Sequence, residues 1–298
     1  MVVDRVWAWL AAARRRSPRF NHVWCAADRF GAVLGGRLAA AIAYYAFFAV
    51  FALALLAYSV LGFVLQYDRQ VFEAVDDFLR INLPWLEPAT IRGSRGKVGV
   101  IGLVGFVLTG VAWIEAIRSS QRSMHGVKEQ PGNLVVRRVV DLMILIGLFV
   151  LLGVSLAVAY ALEALVGWLA GGPSLALSVA GWVLAVVVNV VLASALMGGV
   201  PRLHLPVRRL APAVLFVATG ITVLNTVGQE VINRARENPA FTVVTGAVGL
   251  LLYLYLFNQL LLFGSALIAT SPHGEVRDLA AEPAEPAPFA HDATAVER

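Results

Sequence analysis

Residues 38–65 read LAAAIAYYAFFAVFALALLAYSVLGFVL, with no Lys, Arg, Asp or Glu. A second uncharged stretch runs from Ala240 to Ala269. A hydrocarbon layer of ~30 Å is crossed by about 20 helical residues. Each stretch is therefore long enough to span it with tilt or to run on into the headgroups. Working outward, Arg92, Arg95 and Lys97 precede a further apolar stretch that Glu115 and Arg118 close. The uncharged run from Ala164 to Pro201 is too long for one helix, and Gly171-Gly172-Pro173 is its natural break. Pro206 and Pro212 open the next stretch, where a missing N–H does least harm. The expected fold class is an all-α membrane protein, a six-transmembrane-helix bundle with spans at 38–65, 98–117, 142–163, 176–200, 208–228 and 241–269.

Composition points the same way. Hydrophobic residues make up 59% of the chain and charged residues 14%, against roughly 25% charged in an average soluble domain. The single cysteine, Cys25, leaves no internal disulfide to stabilise the fold. The formal charge of +5 is spread through loops rather than gathered on one face, so nucleic acid is not an expected partner. A cleavable signal peptide is not expected either, because the first uncharged stretch is too long for a signal core.

The connections are short enough for basic residues to set the orientation. With the N-terminus inside, residues 1–37 carry seven Lys/Arg, 118–138 five, 201–209 three and the tail two. The opposite side receives five in 66–97, none in 164–175 and two in 229–240. Seventeen of the 24 basic residues thus fall inside, so both termini are expected to be cytoplasmic. Residues 1–37 read as a basic segment with an amphipathic interfacial helix. Its apolar positions are Phe20, Val23, Trp24, Ala27, Phe30, Val33 and Leu34, with Trp7, Trp9 and Trp24 at headgroup level. Arg14, Arg15, Arg16 and Arg19 are the expected contacts to anionic lipid. In the first outer loop Val71, Phe72, Val75, Phe78 and Leu79 share one face of a predicted helix. The membrane domain covers 38–270. Residues 271–298, rich in Ala, Pro and Glu, are expected to be a disordered cytoplasmic tail.

Polar groups inside spans are costly unless paired, which makes them the site candidates. They are Tyr44 and Tyr45 in the first span, Asn189 in the fourth, Asn225 in the fifth, and Asn258 and Gln259 in the sixth. The structural alternative is that such amides join helices, worth about 1 kcal/mol each. Glu115, Arg118, Arg137 and Asp141 flank the basic inner loop and suit ion pairs there, Glu115 with Arg118 and Asp141 with Arg137 or Arg138. Gly102, Gly105 and Gly110, and Gly246 with Gly249, read as close-packing surfaces between helices. The five histidines are isolated and form no metal-ligand pair. No catalytic residue, metal site or cofactor is expected.

The first span opens Leu38-Ala39-Ala40-Ala41-Ile42-Ala43-Tyr44-Tyr45-Ala46-Phe47-Phe48. Trp113-Ile114-Glu115-Ala116-Ile117-Arg118, Gly132-Asn133 and Arg137-Arg138 follow. The last span runs from Gly246-Ala247-Val248-Gly249 through Leu254-Tyr255-Leu256 to Gln259-Leu260-Leu261-Leu262-Phe263-Gly264-Ser265. In order and spacing, over roughly 30–270, these resemble the YihY/BrkB family of bacterial inner-membrane proteins. Two departures stand out. Phe51-Ala52-Leu53 replaces a proline common after the family's first motif, and Ser265-Ala266-Leu267 stands where an acidic residue usually follows. The resemblance implies six spans with both ends cytoplasmic. It implies no established activity, and the ribonuclease label attached to the family finds no ligand cluster here for metal-bound water.

The expected function is that of a permease-like or lipid- and envelope-handling protein of the cytoplasmic membrane, not an enzyme. Its expected partners are membrane lipids, anionic headgroups on the cytoplasmic face, and a small-molecule or lipid substrate. The alternative is a non-catalytic scaffold for envelope integrity that grips anionic lipid or a partner. The sequence does not specify an oligomeric state.

Overall fold

The computed structural model describes residues 14–67, 88–170, 175–235 and 242–280. Within these the chain is an all-helical membrane protein, with one pair of two-residue strands. Helix α1 (Pro18–Ala32) begins where the Ser17 hydroxyl accepts the Phe20 N–H and Pro18 takes the first turn. It ends at Ala32, and Leu34 in the turn beyond has a φ of 56°. A side chain on Gly35 would meet the Phe30 ring at 2.5 Å, so only glycine lets the chain turn this tightly into the next helix. Then follow α2 (Gly35–Tyr67), α3 (Pro88–His125), α4 (Leu134–Ala170) and α5 (Leu175–Ser194), which runs on into a π turn (Ala195–Gly199). Strand β1 (Leu203–His204), α6 (Val207–Ala235), α7 (Thr242–Ala269) and β2 (Arg277–Asp278) complete the order.

Helices α2, α3, α4 and α6 overrun the expected spans, whereas α5 with its π turn and α7 match theirs to within a residue. Helix α3 has 38 residues, about 57 Å at 1.5 Å per residue. It does not close at Glu115 and Arg118, because Arg118, Gln121 and Arg122 turn inward and are no more than 1% exposed. Five helices among the described residues are long and apolar enough to cross a membrane: Gly35–Ala57, Gly96–His125, Gly181–Gly199, Val207–Glu230 and Gly246–Ala269. The expected third span, 142–163, lies within α4, whose first two turns carry Arg137, Arg138 and Asp141. The expected break at 171–173 and the outer-loop helix around 71–79 lie outside the described residues.

Neighbours in sequence are neighbours in space. From α2 to α7 each helix packs on the next, α7 returns to α2, and α3 also touches α7 across the middle. The tightest approach is between α2 and α3, which run antiparallel. Added Cβ atoms would lie 2.3 Å from Ser59 Oγ at Gly99 and 2.8 Å from the Leu56 backbone nitrogen at Gly102. Small residues let helix backbones meet without hydrocarbon between them. Gly105 faces Ala52 of α2, whereas Gly110 faces Leu145 of α4. Gly246 and Gly249 meet nothing within 4 Å, so that expected packing surface is not one.

The core is concentrated where α3 ends. Ile42, Ile114, Ile117, Met124, Leu196, Met197, Leu261, Leu262 and Ile268 are essentially inaccessible there. Along α4, by contrast, Met143, Ile146, Val150 and Val154 are exposed, as residues whose solvent is lipid should be. The tail departs from expectation. Residues 271–280 are placed, with β2 antiparallel to β1 in the register Leu203↔Asp278 and His204↔Arg277. A composition unable to build a core of its own has here found one to lean on. Residues 281–298 and Trp7 and Trp9 lie outside the described residues.

Candidate functional site

Arg118, Gln121, Arg122 and His125 occupy positions i, i+3, i+4 and i+7 of α3, one face of a helix. That face points into the end of the bundle and carries its chemistry. Arg118 donates from Nε and Nη2 to the two Asp141 oxygens, each at 3.0 Å, and from Nη1 to the Glu129 carbonyl at 3.3 Å. Its exposure is 1% and that of Asp141 is 0%. Arg202 adds a hydrogen bond to Asp141 Oδ1 at 3.2 Å and one to the Arg137 carbonyl at 3.3 Å. Burial pulls the Arg202 pKa down, Asp141 opposes this, and Arg118 and Arg122 reinforce it.

Arg122 is the second centre. Its Nε donates to the Lys128 carbonyl at 2.7 Å and its Nη1 to the Pro201 carbonyl at 3.0 Å. Nη1 also donates to Asp278 Oδ1 at 3.0 Å, and Nη2 donates to Oδ2. Burial works to raise the Asp278 carboxyl pKa, but the Arg122 bonds, the Ala280 N–H and the Arg122 charge outweigh it and hold it below the usual carboxylate range. From α1, Arg29 donates to the Ser123 and Met124 carbonyls, both at 2.8 Å. Those carbonyls lie in the last turn of α3, where the helix leaves acceptors to be satisfied from outside; the Ser123 carbonyl also accepts the Gly126 N–H at 3.1 Å. Gln121 Nε2 donates to the Leu196 carbonyl at 3.1 Å, and Arg209 donates to the Ser271 carbonyl. Three inward arginines, Arg118, Arg122 and Arg202, are thus answered by two carboxylates, Asp141 and Asp278.

The sequence selected part of this cluster but paired it differently. Glu115 bonds Arg138 on α4 rather than Arg118 on its own helix, and Asp141 takes Arg118 rather than Arg137 or Arg138. Pairs within one helix form on its own surface, whereas the face of Arg118 is turned into the core. A buried guanidinium is tolerated there only with a hydrogen-bonded carboxylate across the interface. Arg137 is 8% exposed and contributes its carbonyl. Arg122, Arg202 and Asp278 were missed. The four-residue spacing from Arg118 to Arg122 could have flagged the first, but Asp278 fell in a stretch whose composition reads as tail.

The intramembrane candidates are not brought together. Asn189 Nδ2 donates to Thr222 Oγ1 at 3.0 Å, joining α5 to α6. Asn225 Oδ1 accepts from the Tyr253 hydroxyl at 2.6 Å, joining α6 to α7. Asn258, 0% exposed, turns its Nδ2 back to the Leu254 carbonyl at 2.7 Å. Gln259 lies near Gly36 of α2, beside the Tyr255 hydroxyl. Tyr44 and Tyr45 point outward, 58% and 40% exposed, with edge-on rings 5.8 Å apart. At the N-terminal side Arg14 bonds Asn21 Oδ1 at 3.1 Å and lies over Trp24, while Arg15, Arg16 and Arg19 are exposed.

A groove of ≈ 460 Å³ opens between α3 and α4, lined by Val107, Leu108, Val111, Ala112, Val139 and Leu142, with Arg138 as its one charged wall. Among the described residues no three His, Cys, Asp or Glu side chains gather as a metal site would require.

The family described as Virulence factor BrkB matches residues 26–287. The inner membrane protein YhjD of Escherichia coli (strain K12) is 26% identical over 286 residues, covering 87% of this chain and 83% of that protein. An uncharacterized protein of Dickeya dadantii (strain 3937) is 28% identical over 296 residues, 89% and 87% of the two chains. No solved structure matches. The names of the family and these relatives indicate no catalytic activity.

Proposed function

The chain belongs to the BrkB (YihY/BrkB) family of multi-pass inner-membrane proteins, and from that premise we propose that it handles lipid, taking a phospholipid acyl chain into the groove between α3 and α4. The observation that carries this is the groove itself. Its walls are apolar except for Arg138, which Glu115 holds in place. Its ≈ 460 Å³ falls in the roughly 300–1,000 Å³ range of small-molecule sites. An aliphatic chain fits such walls, and a guanidinium at one edge suits a phosphate. Support for a polar-solute permease is weaker, because Asn189 and Asn225 join helices and Asn258 bonds its own helix instead of facing a common site.

The reading places α4 in the bilayer as the third of six spans, α1 flat on the inner surface, and both termini in the cytoplasm. The cluster around Arg118 and Arg122 then sits at the inner headgroup level. The test is photocrosslinking in proteoliposomes with a phospholipid that carries a photoreactive acyl chain. Adducts should map to Val107–Ala112 and Val139–Leu142, and Ala112→Trp should reduce them several-fold without changing insertion. Adducts spread evenly over every lipid-facing helix would overturn the reading, as would accessibility tags that place the two termini on opposite sides.

A second reading rests on the exposure of Arg15, Arg16 and Arg19, which suits a scaffold that grips anionic lipid or a partner. Neutralising these with Arg14 should then abolish binding of its N-terminal segment to phosphatidylglycerol surfaces with insertion intact. Unchanged binding would remove this reading.

A further inference from the structure

We propose that the Arg122 guanidinium is a binding site for a phosphate-type anion, and that Asp278 of the chain's own C-terminal segment occupies it as a tethered stand-in. The proposal does not use the groove between α3 and α4. Arg122 is already oriented without Asp278, since Nε and Nη1 donate to the Lys128 and Pro201 carbonyls. The edge formed by Nη1 and Nη2 is the one that grips Asp278 bidentately. This fork fits carboxylate and phosphate alike.

Charge makes the site demand an occupant. Among the described residues, Asp141 would be the one carboxylate left to Arg118, Arg122 and Arg202 without Asp278. Buried cations in that balance draw in an anion or lose their fold. Apart from Arg122, the occupant is held by a two-residue strand pair, by the Leu279 N–H donating to the Arg202 carbonyl at 3.1 Å and by the half-buried Val276 against the core, and a pairing that short is marginal alone. Its neighbours Pro272, His273, Gly274, Glu275, Arg277 and Leu279 are exposed. The Asp278 side chain is 17% exposed against 0% for Arg122, so the site opens on the side of the tail. Phosphate is the anion that a site near an inner headgroup layer meets most, as a lipid headgroup or as the free ion.

The experiment uses the full chain in phosphatidylcholine nanodiscs and follows hydrogen exchange at 272–280, at ionic strength balanced with sodium chloride. Millimolar inorganic phosphate, or replacement of half the lipid by phosphatidylglycerol, should speed exchange there about tenfold while α3 stays protected. A response to phosphatidylglycerol alone assigns the site to headgroups, and a response to inorganic phosphate assigns it to the free ion. D278N, with α3 still protected, should bind radiolabelled phosphate or phosphatidylglycerol about tenfold tighter, because a site open a tenth of the time binds that much more weakly. D278N/R122Q should lose the gain. Wild-type exchange that neither probe changes overturns the proposal without reference to any variant, and so does a folded D278N that binds neither probe more tightly.

Discussion

Replacing Asp141 by Asn removes one negative charge and almost no volume. The carboxylate is 0% exposed and accepts three hydrogen bonds, two from Arg118 and one from Arg202. An amide can accept at Oδ1, but its Nδ2 faces a guanidinium donor, and Arg118 and Arg202 lose the anion they share. Breaking a buried pair in this way costs about 3–5 kcal/mol. The Glu115–Arg138 pair a few residues away supplies the comparison. Its side chains are 19% and 44% exposed, and pairs with water access contribute about 0–1 kcal/mol. D141N and E115Q each remove one carboxylate charge, yet the first should destabilise by roughly 3 kcal/mol more, over 100-fold in the folded-to-unfolded ratio. Unfolding in mixed dodecyl maltoside–dodecyl sulfate micelles, read by tryptophan fluorescence, measures both. A D141N value within ~1 kcal/mol of E115Q would refute the argument that burial sets the strength of this cluster.

Three further outcomes are expected. Asn189→Leu and Thr222→Val should each destabilise by about 1 kcal/mol and show a double-mutant coupling near 0.6 kcal/mol; additive effects would mean that the α5–α6 bond is not formed. Gly102→Val should destabilise by ~1–3 kcal/mol through overpacking against α2, while Gly249→Ala should stay within ~0.5 kcal/mol; the same assay distinguishes them, and equal effects would contradict the helix contacts. The Asp278 pKa is depressed below the ordinary aspartate value of 3.8, so its contribution is complete above that value and is lost as pH falls through the lower folded value. In phosphate-free buffer and phosphatidylcholine nanodiscs, hydrogen exchange at 272–280, corrected for its intrinsic pH dependence, should therefore rise only below about pH 3.8, and a segment already released at pH 6 under those conditions would count against the Arg122 pairing.

The fold was legible because lipid imposes a coarse rule. A run such as 38–65 must be helical throughout, as no water is present to satisfy its backbone. Glycines showed the limit of that legibility. Gly102 and Gly246 look alike in sequence, yet one touches the α2 backbone and the other touches nothing, because packing depends on which face a neighbour occupies. The polar cluster at the end of α3 was half legible. Glu115, Arg118, Arg137 and Asp141 stood out as charges beside apolar runs, but which carboxylate answers which arginine is decided by the crossing of α3 and α4. Arg202 adopts a φ of 53° in a short connection, which nothing in its neighbours announces. Asp278 was hidden by composition, since a polar, proline-rich stretch states only that it builds no core, not that it avoids another's.

The pairing of Arg122 with Asp278 joins residues 156 positions apart. At the usual synthesis rate of about 5–20 residues per second, the arginine waits roughly 8–30 s for its acid to be made. Through that interval α2 and α3 can insert and pack, but the Arg122 end of α3 must stay wet or borrow another anion. The newborn protein is thus held ajar at that end until the segment carrying Asp278 arrives.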